Sequence, residues 1–371
     1  MAVANAVPVY IETGHSLRIK VIDSCGMTCT FCHNEGTPVT ADNLSKAPGT
    51  FASSGRTGRV SIYTPANGAT FLAAPAQPDD DYVHALTSLR DALDIREVHL
   101  TGGEPTLHPG LPQLIALAAG VGLRVRMTSN GERGVPQMRA CAEAGLEKIN
   151  FSVFGTTPEE LAAVQHPRYG SRERAERKLA ALSSSIAAAT AHGVQANANI
   201  VVPDHSHIVR VHRLLDEYAP QVSVRLLNSL SHGQVSIDAI DQSLAERGAV
   251  PEARYVTAGV SGSRTAYRLP GGRRVYFKQI RRVRLPQTCA GCRFNNDTDC
   301  EEGFYGVRLY RDRGGAYQVG VCIQRMDLAR PLDDFLASGL PEEIRRLRAS
   351  EQATLTDKVS RPAAGDYCDK E

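Results

Sequence analysis

The sequence predicts an α/β protein: a partial (β/α)6 TIM-type barrel followed by a smaller C-terminal, cysteine-rich α+β domain. Three observations carry this. Six short apolar runs alternate with stretches of helical period, the mark of parallel βα units. Gly122, Gly145 and Gly193 each close a helical stretch just before a strand run, where glycine ends helices well. Polar and cysteine residues gather at the C-terminal ends of the runs, the rim where such barrels place their chemistry.

In chain order the strand runs are 17–22, 97–100, 124–128, 148–153, 195–202 and 222–227, with helices over 82–93, 111–119, 136–144, 172–191 and 208–218. Right-handed crossovers curl six such units into a barrel or an open part of one. The barrel takes residues 1–240. Residues 35–78 break the repeat, being rich in Gly, Pro, Ser and Thr with an extended piece at 60–63. They read as an insertion, either a lid over the site or a mobile surface loop. From Arg268 to Lys278 the sequence reads as a hairpin turning at Gly271-Gly272, and cysteines follow. The second domain is placed at 241–330, with the boundary between Asn228 and Val250, and a C-terminal helix and tail at 331–371.

With 371 residues the chain can bury a large core, and its net charge of +2 gives no general polyanion-binding signature, so no nucleic-acid polymer is expected. Its longest apolar runs are too short to cross a bilayer. Nine cysteines and a first segment lacking the pattern of an export signal suggest metal ligation in a reducing cytoplasm.

Cys25, Cys29 and Cys32 stand in a C-x3-C-x2-C spacing directly after the first strand run. Three thiolates suit a four-iron cluster that keeps one iron open to a small molecule. A disulfide would need an oxidising compartment, and structural zinc would want a fourth ligand, which His33 could supply. One βα unit later comes Thr101-Gly102-Gly103-Glu104-Pro105, whose glycines permit close backbone approach and whose carboxylate can accept hydrogen bonds from an ammonium group.

Together the cysteine spacing, Phe31 before the last cysteine, and the Gly-Gly-Glu segment resemble the radical S-adenosylmethionine (SAM) superfamily. The resemblance implies a [4Fe-4S] cluster on Cys25, Cys29 and Cys32 whose open iron chelates SAM. It also implies reductive cleavage of SAM to a 5′-deoxyadenosyl radical that takes hydrogen from a substrate, with a flavodoxin- or ferredoxin-type electron donor. Phe31, Gly102, Gly103, Glu104, Ser129, Asn130, Ser152 and Asn199 are the SAM contacts it implies; ordinary strand-end capping is the other role open to the Ser and Asn residues.

Cys289, Cys292, Cys300 and Cys322 form C-x2-C-x7-C-x21-C, enough for a second, auxiliary [4Fe-4S] cluster or for a zinc ribbon. The segment resembles the auxiliary-cluster extensions of radical SAM enzymes. Cys141, in a helical stretch, reads as a small buried apolar residue, and Cys368 as a possible substitute ligand. Within the superfamily the chain looks most like the molybdenum-cofactor GTP cyclase group. It departs from that group in carrying four C-terminal cysteines rather than three and in ending Asp369-Lys370-Glu371 rather than in paired glycines. The expected substrate is a nucleotide, nucleoside or sugar-like small molecule, with Arg225 and Arg308 as contacts. The cations from Arg273 to Arg284 are either phosphate ligands or a solvated hairpin face. A peptide-modifying maturase and a non-enzymatic electron carrier are the alternatives.

Overall fold

The computed structural model describes residues 7–218, 222–300 and 302–360; Cys368 lies outside them. Its strands are β1 (Val9–Thr13), β2 (Ser16–Ile22), β3 (Ala73–Ala74), β4 (Glu97–Gly102), β5 (Arg124–Ser129), β6 (Leu146–Ser152), β7 (Gln195–Val202), β8 (Ser223–Asn228), β9 (Val250–Ala258), β10 (Gly262–Arg268), β11 (Arg274–Ile280), β12 (Val307–Asp312), β13 (Tyr317–Gly320) and β14 (Arg330–Pro331). The helices that bear on the site are α1 (Thr40–Asn43), α2 (Asp80–Leu93), α3 (Leu111–Gly120), α4 (Gly134–Glu143), α5 (Pro158–Ala163), α6 (Arg172–Ala191), α7 (Ile208–Glu217), α8 (Gly233–Glu246), α9 (Leu332–Ala337) and α10 (Leu340–Ser360).

Six parallel strands pair in the order β2-β4-β5-β6-β7-β8, as the βα repeat predicts. The sheet does not close on itself, so the barrel is partial. Helix ends follow local chemistry. Asp79 caps α2 through the Tyr82 amide, Thr157 and Glu160 form a capping box on α5, and Ser171 caps α6. Gly122, Gly145 and Gly193 take φ of 81°, 104° and 75°, the left-handed geometry expected of them. The outward residues of the strands pack on the helices in one continuous core that runs from Leu17 in β2 to Leu347 in α10.

Residues beyond 250 join this sheet at both edges. The hairpin β10–β11 forms as read, and β11 then pairs in parallel with β8, Val275 opposite Val224. At the other edge β12 pairs in parallel with β2, Val307 opposite Leu17. Helix α8 occupies most of the stretch between Asn228 and Val250. The cations from Arg273 to Arg284 divide: Arg273 donates to the carbonyls of Leu215, Tyr218 and Val222, Arg281 pairs with Glu351, and Lys278 faces inward.

Residues 35–78 make buried polar contacts with the rest of the fold. Thr37, Asn43, Ser61 and Asn67 are buried, the Ile62 amide donates to the Cys32 carbonyl at 3.0 Å, and Asn67 donates to the carbonyls of Gly36 and Ile323. No strand forms at 60–63; Val60 makes a single bridge with Ser54. The insertion lies against the cysteine loop.

Candidate functional site

The loop after β2 brings Cys25, Cys29 and Cys32 into one small apolar cluster with Met27, Phe154, Leu161 and Ala175. Burial pushes the Cys29 thiol up to about 12, with Gln165 opposing, and raises Cys25 and Cys32 as well, with the Arg59 guanidinium opposing. Neutral thiols are therefore the stable form until a cation draws off their protons. The donor set is right for an iron–sulfur cluster, three thiols on an eight-residue loop in a dry pocket with no fourth protein ligand demanded. Among the described residues, no group of three or more His, Cys, Asp or Glu side chains stands in ready metal-holding geometry.

Buried ion pairs hold the loop. Asp23 accepts from Lys20 at 2.7 Å and from Arg59 at 3.2 Å, and these cations keep its carboxyl far below the usual range against the pull of burial. After Cys32 the chain passes through Asn34, Glu35 and Gly36, all at positive φ. Such backbone costs roughly 1–3 kcal/mol at each non-glycine position. It is held here because Glu35 accepts from Arg18 at 2.6 Å and from Arg308 at 3.2 Å.

Gly102 and Gly103 make the close approach their type suggests, here to neighbouring backbone. A methyl group on Gly102 would stand 2.4 Å from the Ile22 carbonyl oxygen, and one on Gly103 would stand 2.2 Å from that of Asp23 and 2.3 Å from that of Ser24. The Gly103 and Glu104 amides donate to Ile22 and Ser24, both at 2.8 Å. The Glu104 carboxylate is fully buried and accepts from Thr106, Ser129 Oγ at 2.7 Å and the Asn130 amide at 2.6 Å. Its carboxyl is raised by burial, with these donors opposing. Ser129 is thereby committed to Glu104, while Asn130 reaches Cys25 Sγ at 3.6 Å. Phe31 is half exposed and packs against Phe154.

The second cysteine set also converges. Cys289, Cys292, Cys300 and Cys322 line one cavity of about 30 Å³, walled by Leu285, Phe294, Phe304 and Val321. Arg325 Nη1 lies 3.4 Å from Cys292 Sγ, and burial pushes the Cys322 thiol up to about 11. Gly36 packs on Ile323, beside Cys322, which brings the two cysteine loops into contact. Cys141 is buried in the core of α4, as its helical setting suggests.

A cavity of about 920 Å³ fills the barrel between these loops. His33 and Phe154 line it beside the first set, and Glu302, Tyr305 and Arg308 beside the second. Ser152, Asn199, Arg225 and Arg308 of the expected site line it; none of residues 35–78 does. Nine Lys and Arg residues border it against three Glu. Glu12 engages Arg264 and Glu97 engages Arg124 and Arg126, whereas Lys148, Arg225 and Lys278 have no carboxylate partner. Arg225 bonds Asn150 at 2.9 Å, Lys278 bonds the Tyr305 hydroxyl, and the Lys148 side chain makes no hydrogen bond or ion pair among the described residues. Burial, with Arg225 next, brings Lys148 down to about 8. The buried Asn199 Oδ1 has no partner. Lys278 belongs to the cationic stretch read from sequence, whereas Lys148 was missed, although Lys148-Asn150-Ser152 and Asn197-Asn199 alternate with apolar residues and so mark a polar inner face.

Residues 19–195 match the family described as the Radical SAM superfamily. The chain carries a radical SAM domain over those residues, just under half of its length, and is an enzyme. Its relatives include a probable GTP 3′,8-cyclase of Aeropyrum pernix, 25% identical over 74% of this chain and 68% of that protein. A probable GTP 3′,8-cyclase of Sulfolobus acidocaldarius is 30% identical over 40% of this chain and 37% of that protein, and the GTP 3′,8-cyclase of Chlorobaculum tepidum 27% over 40% and 35%. The chain thus spans little more than a third of these last two. Streptococcus suis SuiB bound to S-adenosylmethionine aligns over 67% of this chain and 50% of that one, at 14% identity and a TM-score of 0.41. A [4Fe-4S] cluster and SAM come with the superfamily. No helix among the described residues is long and apolar enough to cross a membrane.

Proposed function

We propose that the chain cleaves SAM at a cluster held by Cys25, Cys29 and Cys32 and abstracts hydrogen from an anionic small molecule, a nucleotide or a phosphate-bearing sugar or nucleoside, bound in the barrel. One observation carries this reading: the cavity reaches from the first cysteine loop to the second, and among the described residues three half-buried cations that line it, Lys148, Arg225 and Lys278, have no carboxylate in ion-pair contact. A cluster in the first loop supplies the open iron and the single electron that split the sulfonium. Ser152 and Asn199 border SAM, and Glu104 fixes Ser129 and Asn130 beside the first cysteine loop. Lys148, Arg225 and Lys278 meet the anionic group, and Tyr276 and Tyr305 offer aromatic faces to a base or sugar. The four C-terminal thiolates hold an auxiliary cluster at the far end, and a low-potential flavodoxin or ferredoxin supplies electrons.

The test is 5′-deoxyadenosine release after anaerobic reconstitution and reduction, with GTP, other nucleotides and nucleotide sugars set against the matching nucleosides. Phosphate-bearing compounds are expected to accelerate release; nucleosides acting as well or better would overturn the anionic assignment. Metal analysis checks the ligand sets: two cubanes give about eight irons per chain. About four irons with one zinc removes the auxiliary cluster.

Anion binding carries a pH signature. Lys148 is a cation below about pH 8 and loses its charge as pH rises through that value. Affinity for the phosphate-bearing ligand is expected to fall above pH 8 with a one-proton slope, and Lys148→Met should flatten that limb; calorimetric titration from pH 6.5 to 9 measures it.

A further inference from the structure

The loop after α5 is fastened to the cysteine loop at several points. The Thr30 amide donates to the Val164 carbonyl at 3.0 Å and the His166 amide to the Thr28 carbonyl at 2.9 Å, with Cys29 opposite Gln165 in an isolated antiparallel bridge. Within this clasp Gln165 is buried and fixed in orientation. Its Oε1 accepts from the Thr28 amide at 2.7 Å and from Thr28 Oγ1, so its Nε2 is the end that faces Cys29 Sγ, at 3.4 Å. The backbone N–H decides which end of the amide is oxygen. The surroundings, Met27, Leu161 and Ala175, are apolar, which strengthens any N–H···S bond formed there.

We propose that Gln165 is a positioning residue that tunes the reduction potential of the SAM-binding cluster, by placing one N–H on the Cys29 sulfur. The proposal rests on the reading that Cys29 is a cluster ligand. Reduction adds one negative charge shared among irons and sulfurs, and a donor aimed at a ligand sulfur stabilises that reduced form more than the oxidised one. Gln165 thus raises the potential and makes the electron that cleaves SAM easier to load. No motif marks the residue: it lies 133 positions beyond the last cysteine of the set, and only the α5 clasp brings it back.

The discriminating variant is Gln165→Glu. It keeps an oxygen for the Thr28 amide and replaces the N–H facing sulfur with a second oxygen. In the reconstituted full chain, an EPR-monitored redox titration is expected to show the ratio of reduced to oxidised cluster falling roughly tenfold at a fixed potential, equivalent to ~59 mV for one electron. Gln165→Lys, which restores a donor, should return the potential to the wild-type value or above it. If Gln165→Glu takes up iron like the wild type and titrates at the same potential, the residue is only a clasp and the proposal is overturned. If that variant does not load, pulsed EPR of reduced wild type labelled with ¹⁵N in glutamine side chains decides: a nitrogen coupling supports the bond and its absence overturns it. A wild-type chain that takes up no iron sinks the cluster assignment itself, a separate outcome from an unmoved potential.

Discussion

Replacing Gly103 with alanine is expected to abolish loading of the cluster on the first cysteine loop while leaving most of the barrel folded. The new methyl would stand 2.2 Å and 2.3 Å from the backbone oxygens of Asp23 and Ser24, and backbone cannot swing aside as a long side chain can. Something must shift, and the segment with the least sheet support is the one leading from Ser24 into Cys25. Overpacking of this kind costs roughly 1–3 kcal/mol, so the chain survives, but a cysteine displaced from its partners forfeits a ligand. Iron per chain after anaerobic reconstitution should fall by about half, from about eight to about four, with little change in far-UV circular dichroism. Gly120→Ala is the control, because a methyl there meets nothing within 4 Å. Full iron uptake by Gly103→Ala would mean that the Gly-Gly pair serves the ligand and not the loop.

Replacing Arg225 with methionine should have opposite effects on stability and on binding. The guanidinium is half-buried in the barrel, its one hydrogen bond among the described residues goes to Asn150, and Arg264 and Arg126 repel it; desolvation chiefly, with those cations, lowers its proton affinity. An uncompensated, partly desolvated charge destabilises the ligand-free fold, and a methionine of similar length removes that cost. The melting temperature of the ligand-free protein is expected to rise by a few degrees. Affinity for a phosphate-bearing ligand should fall about 30- to 5,000-fold, from the roughly 2–5 kcal/mol lost when one member of a charge pair is deleted. A melting temperature that falls, with affinity unchanged, would make Arg225 a structural residue. This inverse relation is the usual mark of residues kept for function rather than folding.

The repeat of strand and helix was legible because each unit is local. The apolar runs found β2 and β4 to β8 to within a few residues, and the three glycines after helices found their ends. The edges were not legible. Nothing in residues 274–280 says that they pair with β8, or in 307–312 that they pair with β2, since those contacts depend on partners about 50 and 290 residues away. At the site, the cysteines and the Gly-Gly-Glu segment stood out because their chemistry is rare. What each group does was less visible: Glu104 and Ser129 spend their hydrogen bonds on each other, and the glycines face carbonyls. Residues 35–78 read as a lid or a mobile loop because their composition is that of loops, yet single buried contacts, Arg59 with Asp23 and Asn67 with Gly36, fasten them down. Gln165 carries no compositional signal at all.

The attachment of β11 and β12 to opposite flanks of the six-stranded core bears on how the enzyme matures. A ribosome delivers β2 to β8 first, and both outer strands then wait with their amide ladders bare until residues 274–312 emerge. The clamp on the first cysteine loop waits as well, because Arg308 emerges near the end of that stretch and Ile323 after it. Iron therefore enters a nearly finished polypeptide. The nascent half is at its most vulnerable to edge-to-edge aggregation during that interval, so slowing synthesis after β8 should lower the yield of soluble protein more than slowing it after β12.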